Sequence, residues 1–305
     1  MRRRFFLFLT GFFLLMGGIA LVASFFLQIW REKRAPDHPT PIVKIVQKQE
    51  GAFALPALFL EQLLGLSQDH PSDFYLWDEK LASEKLNSFP IFSKVYVKKA
   101  WPQTVVVSYL LKQPIALLYD YENVAIDDKG SLLPLIPFLH YEKLPQLYLD
   151  LPPFGQEDPI SHRKGGDWEN PLCGKQIELA LHLLSLFSPK AVEGAFTVEW
   201  IDLSKIFSES YGKREIVVFT KTALKIDENF VAIFPHILRL SPIHYAQQLG
   251  NYLSLQKKMM KDYRKQLKKN SYAQQEIRFR PKMIDLRLDS LAFINGKATD
   301  ETEDW

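Results

Sequence analysis

Cysteine is almost missing from this 305-residue chain; Cys173 stands alone. A single thiol excludes an internal disulfide and a cysteine-rich zinc site. A body of this length can hold together through its apolar core without such cross-links. A strong charge of one sign is also missing. The net charge is only +3, with 24% charged residues, which gives no case for nucleic acid as a main partner. No Gly-x-Ser-x-Gly turn, P-loop or dinucleotide fingerprint occurs. The seven histidines form no recognised metal spacing. His236 and His244 flank Pro242 and read as surface or half-buried residues. Asp127 and Asp128 are neighbours in a turn signal, so their carboxylates point apart and make a poor acid–base pair. The expectation is a protein without enzymatic activity, metal or cofactor.

What the chain does have is 47% hydrophobic residues, enough for a packed body of about two domains. It also has a run of 25 residues without charge, from Phe5 to Ile29. At ~1.5 Å per residue a helix of that length exceeds the ~30 Å hydrocarbon core of a bilayer. Trp30 follows, where an aromatic ring favours the interface. Residues 5–30 are therefore expected to span the membrane as a helix behind a cytoplasmic tail of residues 1–4. Arg2, Arg3 and Arg4 are balanced by Arg31, Lys33 and Arg34, so flanking charge does not settle the orientation. The short tail and the large body beyond favour an N-terminus inside. A cleaved signal peptide and a buried soluble helix are the competing readings; the first normally has an apolar region of only about 7–15 residues.

Residues 31–41, with Pro36, Pro39 and Pro41, read as a linker. Ile42–Val46 reads as a strand. Pro56 suits the start of a helix with Phe59, Leu60, Leu63 and Leu64 on one face and Gly65 at its end. Asp78 is placed to cap a second helix whose buried side carries Ala82, Leu86 and Phe89. Ile91–Lys99 and Thr104–Leu111 then read as a hairpin. The order is strand, helix, helix, strand, strand over residues 42–112.

Residues 113–297 read as a β-rich domain with flanking helices, giving an α+β chain. Short strands are expected at Ala116–Tyr119, Val124–Ile126, Ile201–Leu203, Ile216–Phe219, Ala223–Ile226 and Ile284–Ile294. A long loop is expected near Leu151–Pro171. One helix is expected around Ile177–Phe187 and a longer one around Tyr245–Tyr263. The acidic residues 298–305 read as a disordered tail.

These pieces, in this order, resemble the FtsQ/DivIB family of bacterial cell-division proteins. The resemblance is carried by Leu63-Leu64-Gly65-Leu66, Phe89-Pro90-Ile91-Phe92-Ser93-Lys94-Val95-Tyr96-Val97 and Trp101-Pro102-Gln103-Thr104-Val105. Further on it rests on Gln113-Pro114-Ile115-Ala116, Val124-Ala125-Ile126-Asp127-Asp128-Lys129-Gly130, Leu144-Pro145-Gln146-Leu147 and Ile284-Asp285-Leu286-Arg287-Leu288-Asp289-Ser290. Leu288 and Leu291 stand where the family often has an aromatic residue and a glycine, and Lys257–Lys282 looks like an expansion. The resemblance implies a POTRA-like βααββ domain followed by a β domain, in a single-pass inner-membrane protein at the division site. It implies a scaffold binding small coiled-coil division proteins of the FtsB (DivIC) and FtsL type by strand addition. By the same resemblance, Arg287, Leu288 and Ser290, taken to lie in the last strand, are the expected partner contacts. A POTRA-bearing protein that handles exported polypeptides during envelope biogenesis is the other binding-module reading.

Within residues 257–269 there are seven basic residues against one acid, Asp262. A solvated helix face is the first explanation. A weak contact with anionic lipid or cell-wall polymer is the second.

Overall fold

A computed structural model describes residues 15–30, 40–50, 54–67, 69–135, 144–159, 163–187, 196–227, 230–267, 276–288 and 291–295. The chain is mixed α+β and divides into two compact units, Met1–Leu111 and Lys112–Trp305.

In the first unit, residues 15–30 form helix α1, whose apolar side chains, among them Leu21, Phe25 and Phe26, point outward. Among the described residues no helix is long and apolar enough to cross a membrane. The first ten residues of the uncharged run, 5–14, lie outside them, as do the cytoplasmic tail and residues 31–39 of the expected linker.

Strand β1 (Lys44–Gln49) begins two residues later than its apolar run suggests and extends into the polar residues after Val46. Helix α2 (Ala57–Leu64) starts behind Pro56 and closes on Gly65, which takes the left-handed conformation (φ 68°) that glycine adopts most cheaply. Asp78 caps helix α3 (Glu79–Asn87) by accepting from the backbone N–H groups of Lys80 and Leu81. Strands β2 (Phe92–Ala100) and β3 (Thr104–Leu111) form the hairpin. In β3, Val105, Val107, Tyr109 and Leu111 alternate inward, the period-two pattern of a half-buried strand. The sheet order is β1-β3-β2, with β1 parallel and β2 antiparallel to β3. Thr40 and Pro41, read above as linker, are held here. Thr40 donates its N–H to Asp73 at 2.8 Å, and Pro41 forms a bridge with Asp73.

The second unit is built on a ten-stranded mixed sheet. Its strands are β4 (Pro114–Leu118), β5 (Val124–Asp127), β6 (Leu132–Pro134), β7 (Gln146–Tyr148), β8 (Thr197–Asp202), β9 (Ile216–Asp227), β10 (Phe230–Leu240), β11 (Glu276–Arg278), β12 (Lys282–Asp285) and β13 (Phe293–Asn295). The order is β13-β12-β10-β9-β8-β7-β4-β5-β6, with β11 also on β10. Parallel neighbours need a crossover. Helix α4 (Lys175–Leu186) lies in the crossover from β7 to β8, and α5 (Tyr245–Leu267) in that from β10 to β11 and β12. One core joins Ala180 and Leu183 of α4 and Leu249 and Tyr252 of α5 to Leu147, Ile201, Val218, Leu238 and Ile284 of the strands.

Several expectations need correction. Ile216–Phe219 and Ala223–Ile226 are parts of one 12-residue strand. The polar residues between them fooled the pattern: Thr220 and Thr222 are buried and answer Tyr252 and Gln256 of α5. Strand β10 has no counterpart among the expected strands, because Pro235 in its middle reads as a strand breaker. Pro235 falls between Ile233, the last partner of β11, and His236, the first partner of β12. His236 is 1% exposed, not a surface residue. Ile284–Ile294 is two strands separated by a turn, not one. The loop near Leu151–Pro171 contains only the bridge Glu157–Lys164 among its described residues. It is fastened by Tyr121, whose hydroxyl donates to Pro152 O and accepts from Gly166 N–H. The acidic tail lies outside the described residues.

Candidate functional site

A strand at a sheet border carries backbone N–H and C=O groups with no strand beyond it, and what satisfies those groups decides whether another chain can add there. In the first unit, β2 is a border strand. Helix α3 closes it. Glu79, Ser83 and Asn87 stand four residues apart on α3, so they share one face. They accept from the N–H groups of Lys99 (2.8 Å), Val97 (3.1 Å) and Val95 (3.3 Å). Asn87 also returns its amide to Val95 O at 3.2 Å. Alternate backbone donors of β2 are thus already used.

In the second unit one border is β6, whose Leu132 and Leu133 are buried and which ends on Pro134. The other is β13. It pairs antiparallel with β12 through Phe293–Asp285, Ile294–Ile284 and Asn295–Met283. Strand β12 is in turn held by β10, and Leu286 continues that ladder by donating to Arg239 O at 2.9 Å. Ile284 and Leu286 point into the core. The border beyond them is apolar and open to solvent: Leu288 is 56% exposed, Phe293 57% and Ile294 44%, with Leu291 alongside.

Arg287 and Leu288 are in the turn after β12 rather than in a strand, and Ser290 lies outside the described residues. The change of role is clearest for Arg287. Its guanidinium forks onto Asp285, with Nη2 at 2.8 Å and Nε at 3.0 Å, and its Nη1 donates to Gly212 O at 3.0 Å. Glu215 sits 3.4 Å from the same nitrogen. Arg239, at the end of β10, completes the cluster, 2.6 Å from Glu215 through Nε and 3.2 Å from Asp285. Burial pushes the Asp285 carboxyl up. The hydrogen bonds and charge of Arg287, joined by the charge of Arg239, outweigh that and hold it below the usual carboxylate range. Asp285 in turn holds the Arg287 guanidinium above its ordinary value against burial, helped by Glu215. Arg287 is an internal fastener that fixes the turn between β12 and β13. Leu288, by contrast, presents free apolar surface.

Sequence reasoning missed Glu215 and Arg239 as members of this cluster. They lie far along the chain from Arg287, and only the pairing of β9, β10 and β12 brings the four together. Phe293 and Ile294 were visible as apolar residues near the C-terminus but were merged into one strand with Ile284.

Elsewhere the described residues show no cluster of three or more His, Cys, Asp or Glu placed to hold a metal ion. His236 Nδ1 and the Tyr252 hydroxyl lie 2.8 Å apart in the core. Burial, aided by the charge of Lys282, lowers the histidine to about 4, and burial pushes Tyr252 up to about 12. Both groups are neutral near pH 7 and serve the packing of α5 on the sheet. On α5, Lys257, Lys258, Lys261, Arg264 and Lys265 face solvent; Lys268 and Lys269 lie outside the described residues.

Neither a protein-family model nor a curated protein matches the sequence.

Proposed function

We propose that the chain is a non-enzymatic, single-pass scaffold of the bacterial division complex, similar to FtsQ/DivIB. Residues 5–30 anchor it in the inner membrane with the N-terminus in the cytoplasm. The first unit is its POTRA-like domain. The second unit binds division proteins of the FtsB (DivIC) and FtsL type by strand addition at its C-terminal border. One observation carries this reading: the larger sheet ends at β13, whose Phe293 and Ile294 are exposed, with exposed Leu288 and Leu291 ahead of it. Strand addition draws affinity from main-chain hydrogen bonds and specificity from alternate side chains, and such a border supplies both. The strand–helix–helix–strand–strand order of the first unit supports the domain assignment. The outward apolar side chains of α1 suit a lipid surrounding.

The test is capture of an FtsB-type partner by the full chain in membranes. Leu288→Asp places a charge on the apolar surface and is expected to weaken capture roughly tenfold, about 1.4 kcal/mol, without altering folding. Depletion of the protein in cells is expected to block septation. Normal septation with defective insertion of envelope proteins would refute the reading in favour of a module for exported polypeptides.

A further inference from the structure

Helices α4 and α5 pack on one face of the second unit's sheet, where Leu118, Leu147 and Ile201 enter the core. Neighbouring residues along a strand point to opposite faces, so Tyr119, Gln146, Tyr148, Trp200 and Asp202 stand on the other side. Tyr119 continues the β4 ladder by donating to Leu147 O at 2.8 Å, and Gln146 and Tyr148 are the Cα partners of Trp200 and Asp202. Together the five line a cleft of about 270 Å³. Its walls are aromatic. Tyr119 is 69% exposed and meets Tyr148 edge-on at 5.6 Å, and Trp200 is backed by the parallel ring of Phe219. Its one charged side chain is acidic. Asp202 accepts from Ser204 N–H through Oδ1 and leaves Oδ2 without a partner among the described residues. Beside the cleft, Asp150 accepts from the Tyr148 hydroxyl at 3.4 Å. The charge of Asp150, with burial and the charges of Asp120 and Asp202, pushes that hydroxyl above its ordinary value, as a negative field does. A second depression of about 230 Å³ shares Tyr119 and Gln146 with the first and is lined further by Leu117, Tyr121, Val124 and Leu135.

We propose that this cleft is a peptide-binding site: it takes an arginine side chain of an extended basic segment, and the depression beside it takes an apolar side chain of the same segment. The ring faces of tyrosine and tryptophan attract a guanidinium, and a carboxylate accepts its planar fork. Tyr119, Tyr148 and Trp200 supply the rings and Asp202 the carboxylate. The volume separates a side chain from a whole small molecule, whose pockets hold ~300–1,000 Å³. Side chains two residues apart leave an extended segment on the same side, which suits two adjoining depressions. A glycan also stacks on aromatic rings, but it draws nothing from the negative field. The site lies on the face of the sheet and not at its border, so it goes beyond the scaffold reading and does not depend on it.

The experiment uses the full chain in lipid nanodiscs, labelled with fluorotryptophan and read by fluorine NMR, with Trp200→Phe to assign the Trp200 signal. The probe is the capped peptide Gly-Leu-Gly-Arg-Gly. It should shift the Trp200 signal saturably and leave those of Trp77 and Trp101 in place. Citrulline in place of the arginine keeps the shape and removes the charge, and should weaken binding about tenfold. Serine in place of the leucine should weaken it about threefold. Tyr119→Ala should cost about threefold with the arginine peptide. Asp202→Asn, which keeps an acceptor for Ser204 N–H, should also cost about threefold with that peptide and nothing with the citrulline peptide. The citrulline comparison is made on the unaltered chain, so it stands whether or not a variant folds. No shift at Trp200, equal affinity for the arginine and citrulline peptides, or tighter binding of chitotriose than of the arginine peptide overturns the proposal.

Discussion

Replacing Arg287 by alanine separates the fastener from the contact. The side chain makes charge-assisted hydrogen bonds to both carboxylate oxygens of Asp285, a further bond to Gly212 O and an ion pair with Glu215. Hydrogen bonds to charged groups contribute about 1.5–3 kcal/mol when their loss leaves a buried partner unsatisfied. Two facts reduce that figure. The Arg287 side chain is 23% exposed, and Arg239 stays in place beside both acids. A loss of about 1–2 kcal/mol is therefore expected. For a unit of this size that corresponds to a fall of roughly 2–8 °C in its melting temperature. Arg287→Lys keeps the charge but not the fork, so it should recover part of the loss. The loss should also fade in acid. The Asp285 carboxyl lies below its ordinary value of 3.8 when folded. Its contribution is complete above the unfolded value and disappears as pH falls through the lower folded value. The measurement is a thermal melt of wild type, Arg287→Ala and Leu288→Asp at pH 7 and pH 3, with hydrogen exchange to locate the change at the β12–β13 turn. An unchanged melt for Arg287→Ala, together with lost partner capture, would refute the fastener and return Arg287 to the partner surface.

Three other outcomes follow from single sites. His236 titrates at about 4 when folded against 6.5 unfolded, so its contribution to stability is complete above pH 6.5 and falls by up to about 3 kcal/mol between pH 6.5 and 4. Urea melts of His236→Gln should show a flatter pH dependence in that window, and an unchanged slope would refute the assignment. Asp78→Ala removes the side chain that caps α3 and should cost about 1 kcal/mol of stability in the first unit alone, read by hydrogen exchange along α3. Gly130→Ala should destabilise the second unit by more than the ~1 kcal/mol of an ordinary backbone effect, read by urea denaturation. Gly130 has φ 84°, and an added Cβ would meet Leu172 O at 2.6 Å.

The first unit was largely legible because its signals are local. Gly65 ends α2, Asp78 starts α3, and the alternation in β3 gives its buried face, each within a few residues of the feature it specifies. The second unit was legible only in part because its sheet depends on pairings between distant segments. β4, β7 and β8 are parallel neighbours joined across long connections, and no short pattern announces that order. Strand β10 was hidden by Pro235, and the length of β9 by Thr220 and Thr222, polar residues that are buried because α5 supplies Tyr252 and Gln256 above them. The same limit applied to the site. Arg287 stood out by its motif, but its role depends on Glu215 and Arg239, which the fold delivers from two other strands.

Strands β2 and β13 are border strands of opposite character, and that contrast bears on where a partner can add. A strand approaching β2 would have to break three existing bonds, from Lys99, Val97 and Val95 to the side chains of α3, before forming its own. Each exchange of that kind returns little net free energy, because one protein–protein hydrogen bond replaces another. A strand approaching β13 meets instead the exposed apolar side chains of Phe293 and Ile294. A segment pairing there would add apolar burial against Leu288 and Leu291. A partner segment whose apolar residues are changed to serine should therefore bind more weakly even with every polar group in place.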